Sequence, residues 1–171
     1  GLKPGFSILD PGDIEGIVAE LIGTTDRARA RAAQWRISAW KNALVAPAAA
    51  AKAARSDDDG AAAQAYHRYD DTLRAYQAVD FDDLIALPIG LLTTDEAVAA
   101  HWRERCGYLL VDEYQDTNPA QYRLIKLLVG ERSAFTVVGD DDQAIYGWRG
   151  ASLDNLAELP KDFPALNVVK L

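Results

Sequence analysis

Two short apolar runs, each ending in a burst of carboxylates, constrain this chain more than any other feature. The first is Leu109-Leu110-Val111-Asp112-Glu113-Tyr114-Gln115-Asp116, and the second is Val137-Val138-Gly139-Asp140-Asp141-Asp142-Gln143. Such a run reads as a buried parallel strand that delivers acidic groups at its carboxyl end, the edge where α/β sheets place their chemistry. Between the two lies a well-punctuated helix: Asn118 can cap it, Pro119 suits its first position, Gln121 completes a capping box and Gly130 can close it. Strand, helix, strand predicts a crossover with parallel strands, so that Asp112, Glu113 and residues 140–143 emerge on one edge.

An adjacent Asp-Glu pair at a strand end suits metal-assisted phosphate hydrolysis. Asp112 can hold Mg²⁺, usually through water, while Glu113 can take a proton from the attacking water. General-base help of this kind is worth roughly 10² to 10⁴ in rate. The same dipeptide also occurs as a plain solvated strand end, so context must decide. Gln143 can sit beside the phosphate edge or simply stabilise its own turn. Three adjacent aspartates point in different directions, which favours capping or loop hydrogen bonding over a metal site for Asp140, Asp141 and Asp142. Beyond them Tyr146, Trp148 and Arg149 combine flat aromatic faces with a guanidinium in a loop flanked by Gly147 and Gly150. That composition suits stacking on unpaired bases, and equally a buried aromatic pair.

Taken together, Asp-Glu-Tyr-Gln-Asp-Thr-Asn at 112–118 and Gly-Asp-Asp-Asp-Gln-Ala-Ile-Tyr-Gly-Trp-Arg-Gly at 139–150 resemble motifs II and III of superfamily 1 DNA helicases. The branch is the UvrD/PcrA/Rep type. The resemblance extends to Asp80-Phe81-Asp82-Asp83-Leu84-Ile85 and to Asp162-Phe163-Pro164-Ala165-Leu166, and is weakest in the Ala-rich part at 48–65. It implies an α/β fold: a helical 1B-type subdomain over 1–77, then over 78–171 part of a RecA-like P-loop NTPase domain, 1A, with a parallel sheet and flanking helices. It implies ATP and Mg²⁺ as cofactors, with Asp112 at the metal, Glu113 catalytic and Gln143 sensing the terminal phosphate. Trp148 would stack on single-stranded DNA with Tyr146 beside it, and Arg149 would serve either DNA or an acid of the nucleotide site. The implied activity is ATP-dependent 3′ to 5′ movement on single-stranded DNA and unwinding at single/double-strand junctions, in replication or repair. A rival of another class is a non-catalytic DNA- or partner-binding module that keeps the motifs. A nuclease-linked helicase subunit would need a nuclease domain beyond Leu171.

Composition bounds these readings. With 171 residues, 49% of them hydrophobic, the chain can bury one core or two small ones. No apolar run approaches the roughly 20 residues of a membrane span, and the start has no signal-peptide layout. A single Cys106 excludes an internal disulfide framework, and a cytoplasmic location without membrane contact is expected. The chain has no Met, begins with Gly and contains no Gly-x-x-x-x-Gly-Lys-Ser/Thr loop. It therefore reads as an internal piece; the resemblance implies a Walker A segment upstream and a second motor domain downstream in the same parent chain. Alone, the piece is expected to be inactive. A net charge of −8 argues against a surface that is basic throughout, yet residues 27–55 carry seven basic side chains and no acidic one. That segment is either a solvated helix face or a contact for duplex phosphates.

Along the rest of the chain, Asp13 is expected to cap a helix ending at Gly23, and Thr25 a longer one whose stripe of Trp35, Ala39, Trp40 and Leu44 faces inward. Residues 47–65 read as a helix, an exposed turn at Ser56 to Gly60 and the start of another helix, on which Tyr66, Tyr69, Leu73 and Tyr76 share one face. Asp80 can cap a helix through Leu87 that Pro88 kinks or interrupts; for Asp82 and Asp83, capping and packing is the reading. A further helix turns Val98 and Trp102 inward. Leu166 to Leu171 reads as a third parallel strand.

Overall fold

The computed structural model describes residues 1–145, 147, 151 and 154–169. In chain order the elements are β1 (Ser7–Ile8), α1 (Pro11–Ile22), α2 (Arg27–Asn42), α3 (Pro47–Ala53), α4 (Asp57–Ala75), β2 (Ala78–Val79), α5 (Asp83–Thr94), α6 (Glu96–Arg105), β3 (Leu109–Val111), α7 (Pro119–Val129), β4 (Phe135–Val137) and α8 (Asp154–Asp162). The fold is mixed α/β and mostly helical, with two small parallel sheets, β1–β2 and β3–β4. The chain divides into two compact units, Gly1–Leu87 and Pro88–Leu171.

In the first unit, α1, α2 and α4 enclose a core of Ile14, Val18, Ile37, Tyr66, Tyr69 and Leu73 with several alanines. Pro11 takes the first turn of α1, so the cap is Asp10, three residues earlier than expected. Its Oδ1 accepts the N–H groups of Gly12 and Asp13 at 2.7 and 2.9 Å. Gly23 closes α1 in the left-handed region, φ 66°, as its position suggested. Asp26 rather than Thr25 caps α2, accepting from Ala28 and Arg29, while Thr24 Oγ1 accepts the N–H of Asp26. The inward stripe of α2 is Ala30, Ala33, Ile37 and Lys41. Trp35 lies about half a helical turn from that stripe and is 64% exposed, contrary to the inward reading. Trp40 is half-buried and stacks on Tyr66, with ring centroids 6.0 Å apart.

The acidic triplet Asp57, Asp58 and Asp59 forms the first turn of α4, not a loop. Ser56 Oγ accepts the N–H of Asp59, and carboxylates suit the positive end of a helix. Two of the three also neutralise the basic segment, since Arg29 pairs with Asp58 at 3.4 Å and Arg36 with Asp59 at 2.8 Å. Arg27 and Arg31 both pair with Glu15, which holds its carboxyl below the usual range. With Lys41, which meets Asp80 and Asp83, five of the seven basic side chains thus pair with acids within the unit. Tyr66, Tyr69 and Leu73 are buried as their spacing implied, whereas Tyr76 caps the end of α4 and is exposed.

The Asp80 to Asp83 run joins α2 to the start of α5. Lys41, only 4% exposed, donates to Asp80 Oδ2 at 2.8 Å and to Asp83 Oδ1 at 2.7 Å. Tyr69 donates to Asp80 Oδ2 at 2.8 Å, and the Lys41 ammonium sits 5.0 Å from the Tyr69 ring centre. Asp82 Oδ1 accepts from Asn42 Nδ2 at 2.8 Å. Asp80 Oδ1 in turn accepts the N–H of Asp83, so the expected capping role is present. Burial alone would push the Lys41 ammonium down, but Asp80 and Asp83 outweigh it and hold it above its usual range; burial raises Asp82 and Asp83. With β1–β2 pairing, these bonds draw residues 78–87 into the first compact unit, which runs to Leu87. Pro88 does not end α5, which runs on to Thr94.

In the second unit β3 and β4 pair in register, Leu109 with Phe135, Leu110 with Thr136 and Val111 with Val137. The crossover helix α7 carries the expected capping box between Asn118 and Gln121. Its face of Tyr122, Ile125 and Val129 packs with Tyr114, Phe135 and Leu159. Leu109, Val111 and Val137 back this core, while Leu110 is 76% exposed, so within this unit β3 is covered on one face rather than two. On α6 the inward residues are Ala99 and, partly, Val98; Trp102 is 44% exposed, because Arg103 takes the next inward position and donates to the Leu127 carbonyl at 3.2 Å. Of the strand expected at Leu166 to Leu171, residues 170 and 171 lie outside the described residues and Leu166–Val169 form no strand: Leu166 turns back to donate to the Phe163 carbonyl and packs on the core, leaving Val168 and Val169 exposed. Among the described residues no single helix is long and apolar enough to cross a membrane.

Lys41→Met is expected to destabilise the first unit by about 3 to 5 kcal/mol, because Asp80 and Asp83 are left buried without their cation; urea unfolding measures this. The folded value of Lys41 lies above its unfolded one. Its contribution is therefore complete below the unfolded value of 10.5 and is lost as pH rises through the raised folded value. The wild-type advantage over Lys41→Met should accordingly shrink in strongly alkaline solution.

Candidate active site

The acidic ends of β3 and β4 are laced together beyond the ladder itself. Val138 donates to the Val111 carbonyl at 2.8 Å, and the Tyr114 N–H donates to the Val138 carbonyl at 2.9 Å. Asp112 and Glu113 are exposed between these bonds, and Asp112 Oδ1 accepts the Glu113 N–H at 2.9 Å. Glu113 sits in the left-handed region, φ 50° and ψ 42°, which costs a residue with a side chain about 1 to 2 kcal/mol. The chain then tightens into a 3₁₀ turn, Tyr114–Asp116, whose first residue is fully buried and donates its hydroxyl to the Asn155 carbonyl on α8. The turn holds the strained residue in place.

Gln115, 1% exposed, links the two strand ends. Its Nε2 donates to Glu113 Oε2 at 2.7 Å, and its Oε1 accepts the Asp140 N–H at 3.0 Å. Gly139 makes room for this amide. A Cβ there would lie 2.8 Å from Gln115 Oε1, 3.2 Å from its backbone nitrogen and 3.3 Å from Tyr114 Cβ. On the far side, Asp140 Oδ1 accepts the Asp142 N–H at 3.0 Å and Asp140 Oδ2 accepts from Gln143 Nε2 at 2.7 Å. The side chains of Glu113, Gln115, Asp140 and Gln143 thus belong to one line of hydrogen bonds across the edge, with the Asp140 N–H carrying the central one. Asp140 acts as a loop organiser, in keeping with the reading of the aspartate run. Asp116 Oδ1, next to Gln115, is buried without a hydrogen-bond partner. Tyr146, Trp148 and Arg149, the expected DNA-binding residues, lie outside the described residues.

Among the described residues no cluster of three or more His, Cys, Asp or Glu side chains could hold a metal ion. Mg²⁺ does not require one, since it keeps several waters and takes one or two carboxylates together with substrate phosphates. Asp112, exposed at the strand end and with only Oδ1 engaged by the Glu113 N–H, fits that role.

Fold and site together define a class: a mixed α/β domain with an acidic parallel-strand edge, consistent with a helicase N-terminal domain. The chain belongs to the UvrD/REP helicase N-terminal domain family, which it matches over residues 1–164. It is 48% identical over 174 residues to the ATP-dependent DNA helicase Rep of Salmonella typhimurium, and 49% identical to Rep of Escherichia coli K12, covering 100% of this chain each time. It is 38% identical over 175 residues to the ATP-dependent DNA helicase PcrA of Staphylococcus aureus. The chain spans only 26% of the length of the two Rep proteins and 24% of PcrA.

Gln115 and Gly139 are the site residues that reading the sequence passed over. The signal for Gln115 was weak, because a polar residue beside two carboxylates looks solvated until the turn that buries it is known. Gly139→Ala is expected to displace the Gln115 amide and cost about 1 to 3 kcal/mol of stability, as overpacking does. Thermal unfolding of that single variant checks the value.

Proposed function

We propose that this chain is the portion of an ATP-driven DNA helicase that carries the hydrolysis carboxylates, with residues 1–77 as a 1B-type helical subdomain and residues 78–171 as part of a RecA-like 1A domain. The observation that carries the reading is the parallel pairing of β3 with β4, which sets Asp112-Glu113 and the Asp140 to Gln143 loop on one laced edge. Family membership and the names of the relatives support ATP as the nucleotide and DNA as the track.

In this reading Asp112 holds Mg²⁺, which when bound neutralises charge on the transferred phosphate and its leaving group. Glu113 orients the attacking water and accepts its proton. Gln143 meets the terminal phosphate from the neighbouring loop. Trp148, with Tyr146 and Arg149, follows Gln143 by a few residues in sequence and stacks on single-stranded DNA, so that hydrolysis and DNA contact belong to one short stretch of the chain. The whole protein moves 3′ to 5′ on single-stranded DNA and opens single/double-strand junctions in the cytoplasm. Its phosphate-binding lysine and second motor domain come from parts of the parent that this sequence does not contain, so the 171-residue chain alone should show no appreciable ATPase activity.

In the full-length helicase, Glu113→Gln is expected to abolish steady-state ATP hydrolysis while leaving ATP affinity near wild type; parallel loss of binding and turnover would argue against the general base. Trp148→Ala should weaken single-stranded DNA binding by about 1 to 3 kcal/mol with little change in melting temperature. Equilibrium binding and thermal unfolding on one preparation test both halves of that expectation.

A further inference from the structure

We propose that Gln115 is a positioning residue that aims the Glu113 carboxylate and ties its aim to the loop carrying Gln143. This rests on the reading of Glu113 as the general base. A buried amide must satisfy both of its ends, and Gln115, 1% exposed, does so with Glu113 Oε2 at 2.7 Å and the Asp140 N–H at 3.0 Å. Glu113 has no such need, because it is exposed and water would solvate it fully. The bond from Gln115 therefore adds nothing to the solvation of the carboxylate and fixes its direction instead.

The amide also makes the two bonds interdependent. Its oxygen and nitrogen are held in one rigid plane, so a shift of the Asp140 backbone that pulls on Oε1 turns Nε2 and, with it, the Glu113 carboxylate. Asp140 is itself tied to Gln143 through Oδ2 at 2.7 Å. Contact of the Gln143 side chain with a ligand thus has a short mechanical route to the base, four side chains long. Clearance above Gly139 marks how closely the route is built, since a single Cβ there would come within 2.8 Å of Gln115 Oε1. The left-handed backbone of Glu113 points the same way: the residue starts its side chain from a fixed, strained geometry, and one further bond suffices to define where the carboxylate lies.

The experiment is a double-mutant cycle in the full-length helicase between Gln115→Met, close in volume but without either hydrogen bond, and Glu113→Gln. Steady-state ATPase in saturating single-stranded DNA gives kcat and KM for ATP, and single-turnover rates read the slow variants. Gln115→Met is expected to lower kcat about 10- to 100-fold with KM unchanged, the penalty of a misaimed catalytic group, and to have no further effect once Glu113→Gln is present. Unchanged kcat in Gln115→Met, or a loss that adds in full to that of Glu113→Gln, overturns the positioning role while leaving the general base standing. Turnover that survives Glu113→Gln removes the base and this inference with it. Should Gln115→Met fail to fold, Gln115→Asn serves in its place: it stays polar and uncharged but is one methylene too short to reach Glu113 and the Asp140 N–H together, so the same kcat loss is expected.

Discussion

Parallel pairing of β3 with β4 is the constraint on which the second unit depends. Three residue pairs are few, and a ladder so short has little strength by itself. It is reinforced from both directions: α7 buries Tyr122, Ile125 and Val129 against one face, and beyond the ladder the Val111, Tyr114 and Val138 backbones close two more bonds. Those extra bonds matter chemically. They hold the start of the acidic loop after β3 against the start of the loop after β4. Tyr114 is the pivot, buried under the turn and bonded to α8 through Asn155, whose own amide returns to Thr117 at 2.8 Å.

The first unit solves a different problem. Its helices are rich in alanine, which allows close approach but buries little area per residue, and the ends of that helical stack must be joined to a strand and a new helix. Lys41 does this with charge. An ammonium so deeply buried is tolerable because three carboxylates, Asp80, Asp83 and more distantly Asp70, and a tyrosine ring surround it, and the carboxylates are tolerable because of the ammonium. Such a cluster is poor at adding net stability and good at specifying one arrangement, since any misregister of α2 against β2 leaves a buried charge alone. That is a physical account of why an Asp-Phe-Asp-Asp run sits at the junction, where its carboxylates had only a generic capping role on sequence grounds.

Much of the second unit could be read in advance. Asn118, Pro119 and Gln121 are local signals, and local signals survive folding: the capping box is where the residues put it. The two strand ends were legible for the same reason, as apolar runs that stop at charge. What failed was orientation. Trp35 and Trp102 look like core because of their size, but facing is decided by which stripe its helix neighbours complete, and in α2 that stripe includes a lysine. Asp13 and Thr25 lost their caps to Asp10 and Asp26 by a few residues at most, the usual uncertainty at helix ends. The β1–β2 pair was invisible, since two-residue strands leave no periodicity. Leu166 to Val169 has strand composition but pairs with no strand among the described residues. Gln115 could not be ranked above its neighbours without the turn that buries it.

The fit between Gln115 and Gly139 makes the two acidic loops a single exchangeable cassette. The loop after β3 supplies an amide of fixed length, and the loop after β4 supplies the gap that receives it, so neither is complete as a module. Grafting one loop into a domain whose other loop lacks the matching glutamine or glycine would bring the amide against a side chain, or leave a hollow where the amide belonged. Chimeras between relatives should therefore take residues 111–117 and 137–143 together, and a transplant of that pair carries its own alignment with it.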